Sequence, residues 1–175
     1  MATVTGDTLP LLLMERLGAV GTARRIPHAA FGTEHAAPGT EHAAHLEFTA
    51  VPVCTVDPDG LPHPAMLSYT ELAAVDKRSL RAEVYGGSST ARHLRQQGKI
   101  TLLFVDPEGT YYVKAAVAGP DTPHPTAPGV VVFPLAVVTV LTDAVDTSRE
   151  QAAVVTSGIR FRRIITPRSE PGTRR

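Results

Sequence analysis

A single cysteine, Cys54, stands in a chain of 175 residues. Neither an internal disulfide framework nor a cysteine-ligated zinc site is therefore open to it. Cys54 sits in an apolar run with no neighbouring charge in sequence to activate it, which predicts a buried, inert thiol and not a nucleophile. Excess charge of one sign is missing as well: 17 Lys and Arg balance 17 Asp and Glu. No net field draws the chain to phosphate backbones or anionic membranes, so neither nucleic acid nor a membrane is the expected partner. Long apolar runs are absent too, because Val130 to Leu141 is broken by Pro134 and Thr139 and falls short of the roughly 20 residues that span a bilayer. Leu11 to Met14 is too short for the apolar centre of an export signal. These gaps together lead us to expect a soluble, cytoplasmic protein. The sequence also has no GxxxxGK[ST], no HExxH and no nucleophile elbow, which removes the motifs of NTPases, zincins and serine hydrolases.

What is present is the composition of a globular domain, 43% hydrophobic and 19% charged, in a length that suits one core. Leu9, Leu13 and Leu17 recur at helical spacing between Asp7, Thr8, Pro10 and Gly18, predicting a short N-terminal helix within 1–20 with its cap at Asp7 or Thr8. A loop over 21–45 follows, rich in Gly, Ala, His and Pro, in which the word GTEHAA occurs twice.

From there the pattern is that of strands. Val51 to Val56, the turn Asp57-Pro58-Asp59-Gly60 and Leu61 to Tyr69 make a hairpin. Ser79 to Tyr85 alternates, with Leu80, Ala82 and Val84 on one face. Ala91 to Gln97 reads as a short helix stopped by Gly98. Ile100 to Val105 and Tyr111 to Ala118 flank a second Asp-Pro-acid-Gly turn, and Gly119 to Gly129 is a proline-bearing loop. Val131 to Leu141 is a long β-branched strand. Thr147 to Thr156 predicts a brief helix, Ile159 to Ile165 a last strand, and 166–175 a frayed tail. About six strands in hairpins, with one helix set among them, are not a βαβ series and imply a small closed barrel over 46–165.

The stretch with chemical character is Val84 to Leu94, VYGGSSTARHL. Two glycines let backbone approach a ligand, three hydroxyls offer donors, and the helix that follows turns free N–H groups and its positive dipole end to the same place. A phosphate monoester fits there, and Arg92 in the first turn adds a charge-assisted bond. An ordinary Ser/Thr helix cap explains the same residues, and the stretch taken alone favours that plainer reading.

The order of several short motifs adds to this. DPDGLPHPAML at Asp57 to Leu67, SSTARHL at Ser88 to Leu94, KITLLF at Lys99 to Phe104 and SGIRF at Ser157 to Phe161 follow one another as in the FMN-binding split barrels, the superfamily of pyridoxamine 5′-phosphate oxidase. The chain resembles that superfamily over about Leu46 to Phe161, most of its length. The resemblance implies a mainly β fold, a small antiparallel split β-barrel with a few short helices. It implies FMN as cofactor, a homodimer with flavin sites at the subunit interface, and oxidoreductase chemistry on an unknown small-molecule substrate. It places the phosphate at Ser88, Ser89, Thr90 and Arg92, and the flavin ring along the backbone of Met66, Leu67, Ser68 and Tyr69. The chain departs from the vitamin-oxidising members, which carry an Arg-Lys pair where Ser89-Thr90 stands and an arginine where Pro64 or Ala65 stands. Those missing cations argue against pyridoxamine 5′-phosphate as substrate, since a second phosphate needs its own positive partners. They also leave room for a second reading, a split barrel without flavin that serves as a binding or interaction module.

The remaining residues have plainer readings. His28, His35, His42 and His45 share the duplicated loop, whose Gly- and Pro-rich spacing fixes no ligand geometry, so no metal centre is expected. His63, between two prolines after a turn, reads as exposed, and His93 as a solvent-facing helix residue. No side chain is assigned a catalytic role. The C-terminal arginines read as a solvated tail.

Overall fold

The computed structural model describes residues 2–18, 45–106, 109–143 and 159–164. The duplicated histidine loop, the tip of the second Asp-Pro-acid-Gly turn, the helix expected at Thr147 to Thr156 and the C-terminal tail lie outside the described residues.

Strand β1 (Thr3–Gly6) leads to helix α1 (Leu11–Leu17), and then come β2 (His45–Val56), β3 (Pro62–Ser68), a 3₁₀ turn (Tyr69–Glu71), β4 (Leu72–Asp76) and β5 (Ser79–Tyr85). Helix α2 (Ser89–Gln97) precedes β6 (Lys99–Asp106), β7 (Gly109–Val117), β8 (Thr122–Pro123), β9 (Val130–Asp143) and β10 (Arg160–Ile164). Every strand pairing is antiparallel. The order β10-β2-β6-β7-β9-β5-β4 forms one curled sheet, with β3 on the free edge of β2 and with β1 and β8 on β9. The fold is a small antiparallel split β-barrel with two short helices among the described residues.

The barrel is open between β3 and β4, and the 3₁₀ turn bridges that opening. Inward residues alternate as a half-buried strand requires: Leu80, Ala82 and Val84 of β5 are buried, as are Leu102 and Phe104 of β6 and Phe133 and Leu135 of β9. On β9 the pairing with β7 shifts between Lys114 and Ala115, which face Thr139 and Val137. The residue left over there, Val138, projects outward and is 55% exposed. Such a bulge bends a strand and raises its twist. This bend helps β9 serve β5 along one half of its length and β7 along the other.

The two helices close the barrel from separate places. Leu13 and Leu17 of α1, with Leu9 before it, belong to the core cluster, and α1 lies against β4 and the 3₁₀ turn. The cap differs from the expectation: Pro10 stands at the N-cap with no side-chain cap bond. Asp7 instead pairs with Arg78, Oδ2 to NH2 at 3.0 Å. Ala91 and Leu94 of α2 join the same core, against β2, β5 and β6. Gly98 ends α2 in the left-handed region at φ 62°, and its N–H donates to the Leu94 carbonyl, the use of glycine that the sequence foretells. No helix among the described residues is long and apolar enough to cross a membrane.

Candidate functional site

The segment from Tyr85 to Arg92 turns β5 into α2, and polar bonds fix it at several points. Ser88 is the N-cap: its Oγ accepts from the Ala91 N–H at 3.1 Å and donates to the Tyr85 carbonyl at 2.7 Å. The Arg92 N–H makes the first helical bond, to the Ser88 carbonyl at 3.1 Å. The N–H groups of Ser89 and Thr90 have no carbonyl four residues earlier within the helix, so they point out of its positive end. Arg92 is exposed, and among the described residues no carboxylate pairs with it. The Thr90 side chain is buried, and the Ser88 and Ser89 side chains are half-buried.

Gly86 is held more tightly than its neighbours. Its N–H donates to the Gly129 carbonyl at 2.8 Å, and its own carbonyl accepts from Arg95 NH1 at 2.8 Å. A Cβ there would meet Val131 Cγ1 at 3.2 Å, so a side chain at this position requires Val131 to give way by a few tenths of an ångström. Gly87 has open space around it. The Arg95 guanidinium also grips Asp121 with two bonds, Nε to Oδ1 at 3.2 Å and NH2 to Oδ2 at 2.7 Å. It sits 5.8 Å from the centroid of the Phe133 ring. The Arg95 hydrogen bond holds the Asp121 carboxyl below its ordinary range, with desolvation opposing and the charge of Arg95 reinforcing the shift.

The second group of sequence-predicted residues lies along β3. Met66 projects from the outer face and is 61% exposed, whereas Leu67 and Ser68 are buried. The Ser68 N–H and Oγ both donate to Glu71 Oε2, at 2.7 and 2.8 Å, so that amide is already engaged. Tyr69 tilts against Phe104 with centroids 5.7 Å apart. Among the described residues β3 pairs only with β2, which leaves its other edge unpaired. The two groups are linked through the start of β3: His63 meets His93 of α2 edge to face, with ring centroids 4.7 Å apart. From His63, at about 3.3 Å per residue, Met66 to Tyr69 extend roughly 10 to 20 Å further along the strand.

That histidine pair corrects the sequence reading twice. His93 does not face solvent but is 3% exposed, and His63 is half-buried against it. Thr55, fully buried, lies 3.2 Å from His93 Nδ1 and donates to the His63 carbonyl at 3.4 Å. Through these two contacts Thr55, on β2, ties α2 to both β2 and β3. Only the polar character of the α2 face hints at this in sequence, because Thr55 lies 38 residues away. Cys54, expected to be buried, is half-buried on the opposite face of β2, and its thiol is free.

The family described as pyridoxamine 5′-phosphate oxidase matches residues 39–149, which takes in both groups of site residues. The chain belongs to that family. With the fold above, this places it in the FMN-binding split-barrel superfamily. No curated protein matches the chain.

Among solved structures it is similar to an F420 reductase, at 17% identity and TM-score 0.43, over 53% of this chain and 88% of that one. It is similar to an FMN-binding protein from Syntrophomonas wolfei subsp. wolfei, at 15% identity and TM-score 0.45, over 55% of this chain and 78% of that one. A third is the styrene monooxygenase flavin reductase of Pseudomonas putida, at 8% identity and TM-score 0.42, over 54% and 80%. At these values the likenesses say nothing about the chemistry of this chain.

Proposed function

We propose that this chain binds FMN and serves as a flavin-dependent oxidoreductase on a small molecule still to be identified. The observation that carries the reading is the cradle before α2. Ser89 and Thr90 present first-turn amides with no acceptor inside the helix, Gly87 has open space around it, and Arg92, exposed and without a carboxylate partner among the described residues, stands in the same turn, in a member of this family. A phosphate dianion satisfies donors that are otherwise left to water, and the helix dipole favours it. In this reading Ser88 shapes the turn as cap, Ser89 and Thr90 contribute amides, and Arg92 contributes charge. Because Thr90 is buried, its contribution is its backbone and not its hydroxyl. Met66 to Tyr69 then hold the ring, with the outward Met66 side chain and the free edge of β3 in contact with it. The flavin supplies hydride or electron transfer when bound, and the protein supplies position and exclusion of water. Pyridoxamine 5′-phosphate is a poor candidate substrate, since no cation stands at Ser89, Thr90, Pro64 or Ala65.

The lack of those cations favours one alternative, a split barrel that takes up no flavin and acts as a binding module. Purified protein that is yellow and releases FMN on denaturation supports the first reading. Colourless protein that takes up no added FMN overturns it in favour of the second.

We also propose a homodimer of the split barrel, whose folded unit takes in β1 and α1 in addition to the 46–165 expected from the sequence. On the outer face, Leu103 faces Tyr112, Tyr112 faces Leu141 and Leu141 faces Val4, so four adjacent strands carry an apolar row. Val4 is 63% exposed, and a second copy of the chain is the partner that would cover the row. Leu103→Lys should convert dimer to monomer in sedimentation experiments; a wild-type protein that is monomeric at micromolar concentration contradicts the proposal. The free thiol of Cys54 fits a reducing compartment, and we propose the cytoplasm.

A further inference from the structure

We propose that Arg95 is a positioning residue for the anion cradle, acting through the Gly86 carbonyl, and that Asp121 on the loop 118–129 governs it. The inference rests on the FMN reading above and adds to it a mechanism by which a distant loop sets affinity.

Side chains of a helix lean toward its N-terminus, and Arg95 uses that lean to reach back nine residues, where its NH1 takes the Gly86 carbonyl at 2.8 Å. Gly86 is thereby held on both sides of its Cα, by Arg95 on its carbonyl and by the Gly129 carbonyl on its N–H. Gly86 and Gly87 are the residues that carry the chain into the Ser88 cap, so their place decides where the free amides of α2 stand relative to the loop. Arg95 can hold this pose because it is itself held. Asp121 takes two of its donors in a planar fork, and Phe133 lies under the guanidinium. The loop 118–129 is in turn fastened to β9 by β8, where Thr122 pairs with Val132 and Pro123 with Val131. His124 of the same loop lies beside β5, with Nε2 3.4 Å from Glu83 Oε2.

A contribution by charge alone makes the opposite prediction. Asp121 neutralises Arg95, so the pair brings little net field to an anion. If field governed affinity, removing the Asp121 charge would tighten the binding of a phosphate dianion. If position governs it, the same change frees Arg95 and the Gly86 carbonyl and weakens binding. Lysine at position 95 separates the two in the same way, because it keeps the charge but lacks the fork that spans Gly86 and Asp121.

The experiment is titration of FMN and of riboflavin against the wild type, Asp121→Asn, Arg95→Lys and Arg95→Met, with melting temperature measured for each. Re-fixing one freed backbone residue on binding corresponds to about a five- to thirtyfold loss of affinity. That loss is expected for FMN in all three variants, with riboflavin affinity unchanged. Amide hydrogen exchange in the ligand-free protein should quicken at Gly86 to Ser88 in Asp121→Asn, the mildest variant. The positioning role is overturned if Asp121→Asn binds FMN as tightly as the wild type or more tightly, or if Arg95→Lys behaves as wild type. If the wild type does not prefer FMN to riboflavin, the phosphate site itself is wrong and the inference falls with it. If it does and the variants match it, the positioning role alone fails.

Discussion

The two helices meet the same barrel by different means. Helix α1 has no side-chain cap, and its links to the core are leucines: Leu13 is 0% and Leu17 6% exposed. Helix α2 also buries apolar residues, but it is surrounded by directed bonds: the Ser88 cap, the Arg95 fork, the Thr55 contact to His93 and the Gly98 stop. Burial without direction is enough to plug an opening. Holding backbone donors at a fixed place for a ligand needs bonds that have direction, and α2 has them at both of its ends.

Variants on each helix should separate these roles. Leu13→Ala removes a fully buried side chain and should cost about 2–5 kcal/mol of stability by chemical denaturation. Its FMN affinity, measured where the variant is still folded, should match wild type; a parallel loss of affinity would mean that α1 also shapes the site. Arg92→Ala on α2 should do the reverse. A charge-assisted bond worth roughly 1.5–3 kcal/mol is lost, so FMN should bind about ten- to a hundredfold more weakly, while riboflavin and unfolding midpoint stay as they were. Equal weakening of riboflavin would put the phosphate elsewhere.

Ser88→Ala stands between the two. Removing the cap should lower stability by about 0.5–2 kcal/mol and weaken FMN as well, since the same hydroxyl shapes the turn. Calorimetry that finds a loss of stability with unchanged FMN affinity would reduce Ser88 to an ordinary cap. The smallest effect is a pH dependence. Because Arg95 holds the folded Asp121 carboxyl below its ordinary range, the pair contributes stability above that range and loses it as pH falls through the depressed value. The melting temperatures of wild type and Asp121→Asn should therefore differ at neutral pH and converge in acid. A constant gap down to low pH would show that the ion pair is not its source.

The same contrast explains what was legible in the sequence. Local signals were enough for β5, whose alternation is the pattern of one buried face, for the Asp57 to Gly60 turn and for the Gly98 stop. They were not enough for β4, whose Leu-Ala-Ala-Val has weak strand preference and takes its shape from pairing with β5. They were also not enough for β1, a four-residue strand formed against β9. At the candidate site, the glycines, hydroxyls and Arg92 could be picked out because they are contiguous. Arg95 with Asp121, and His93 with Thr55 and His63, could not, because these pairs are made across 26 to 38 residues of chain. The expected cap at Asp7 or Thr8 failed because α1 begins later, at Leu11 with Pro10 as its N-cap, and the Asp7 carboxylate pairs instead with Arg78, 71 residues away.

Strand β9 also sets an order in time. Among the described strands, β5 finds its second neighbour only in β9, and so does β7. Until Val130 to Asp143 has been made and has docked, the earlier strands can pair only as two separate pieces, β4 with β5 and β2, β3, β6 and β7 together, while β1 and β8 wait for β9 itself. Pairings so distant in sequence close slowly. On a ribosome, both pieces emerge first and wait with open edges, the condition in which strands recruit unwanted neighbours. The arrival of β9 ends that exposure: one strand, late in the chain, covers an edge of each piece and makes them a single barrel.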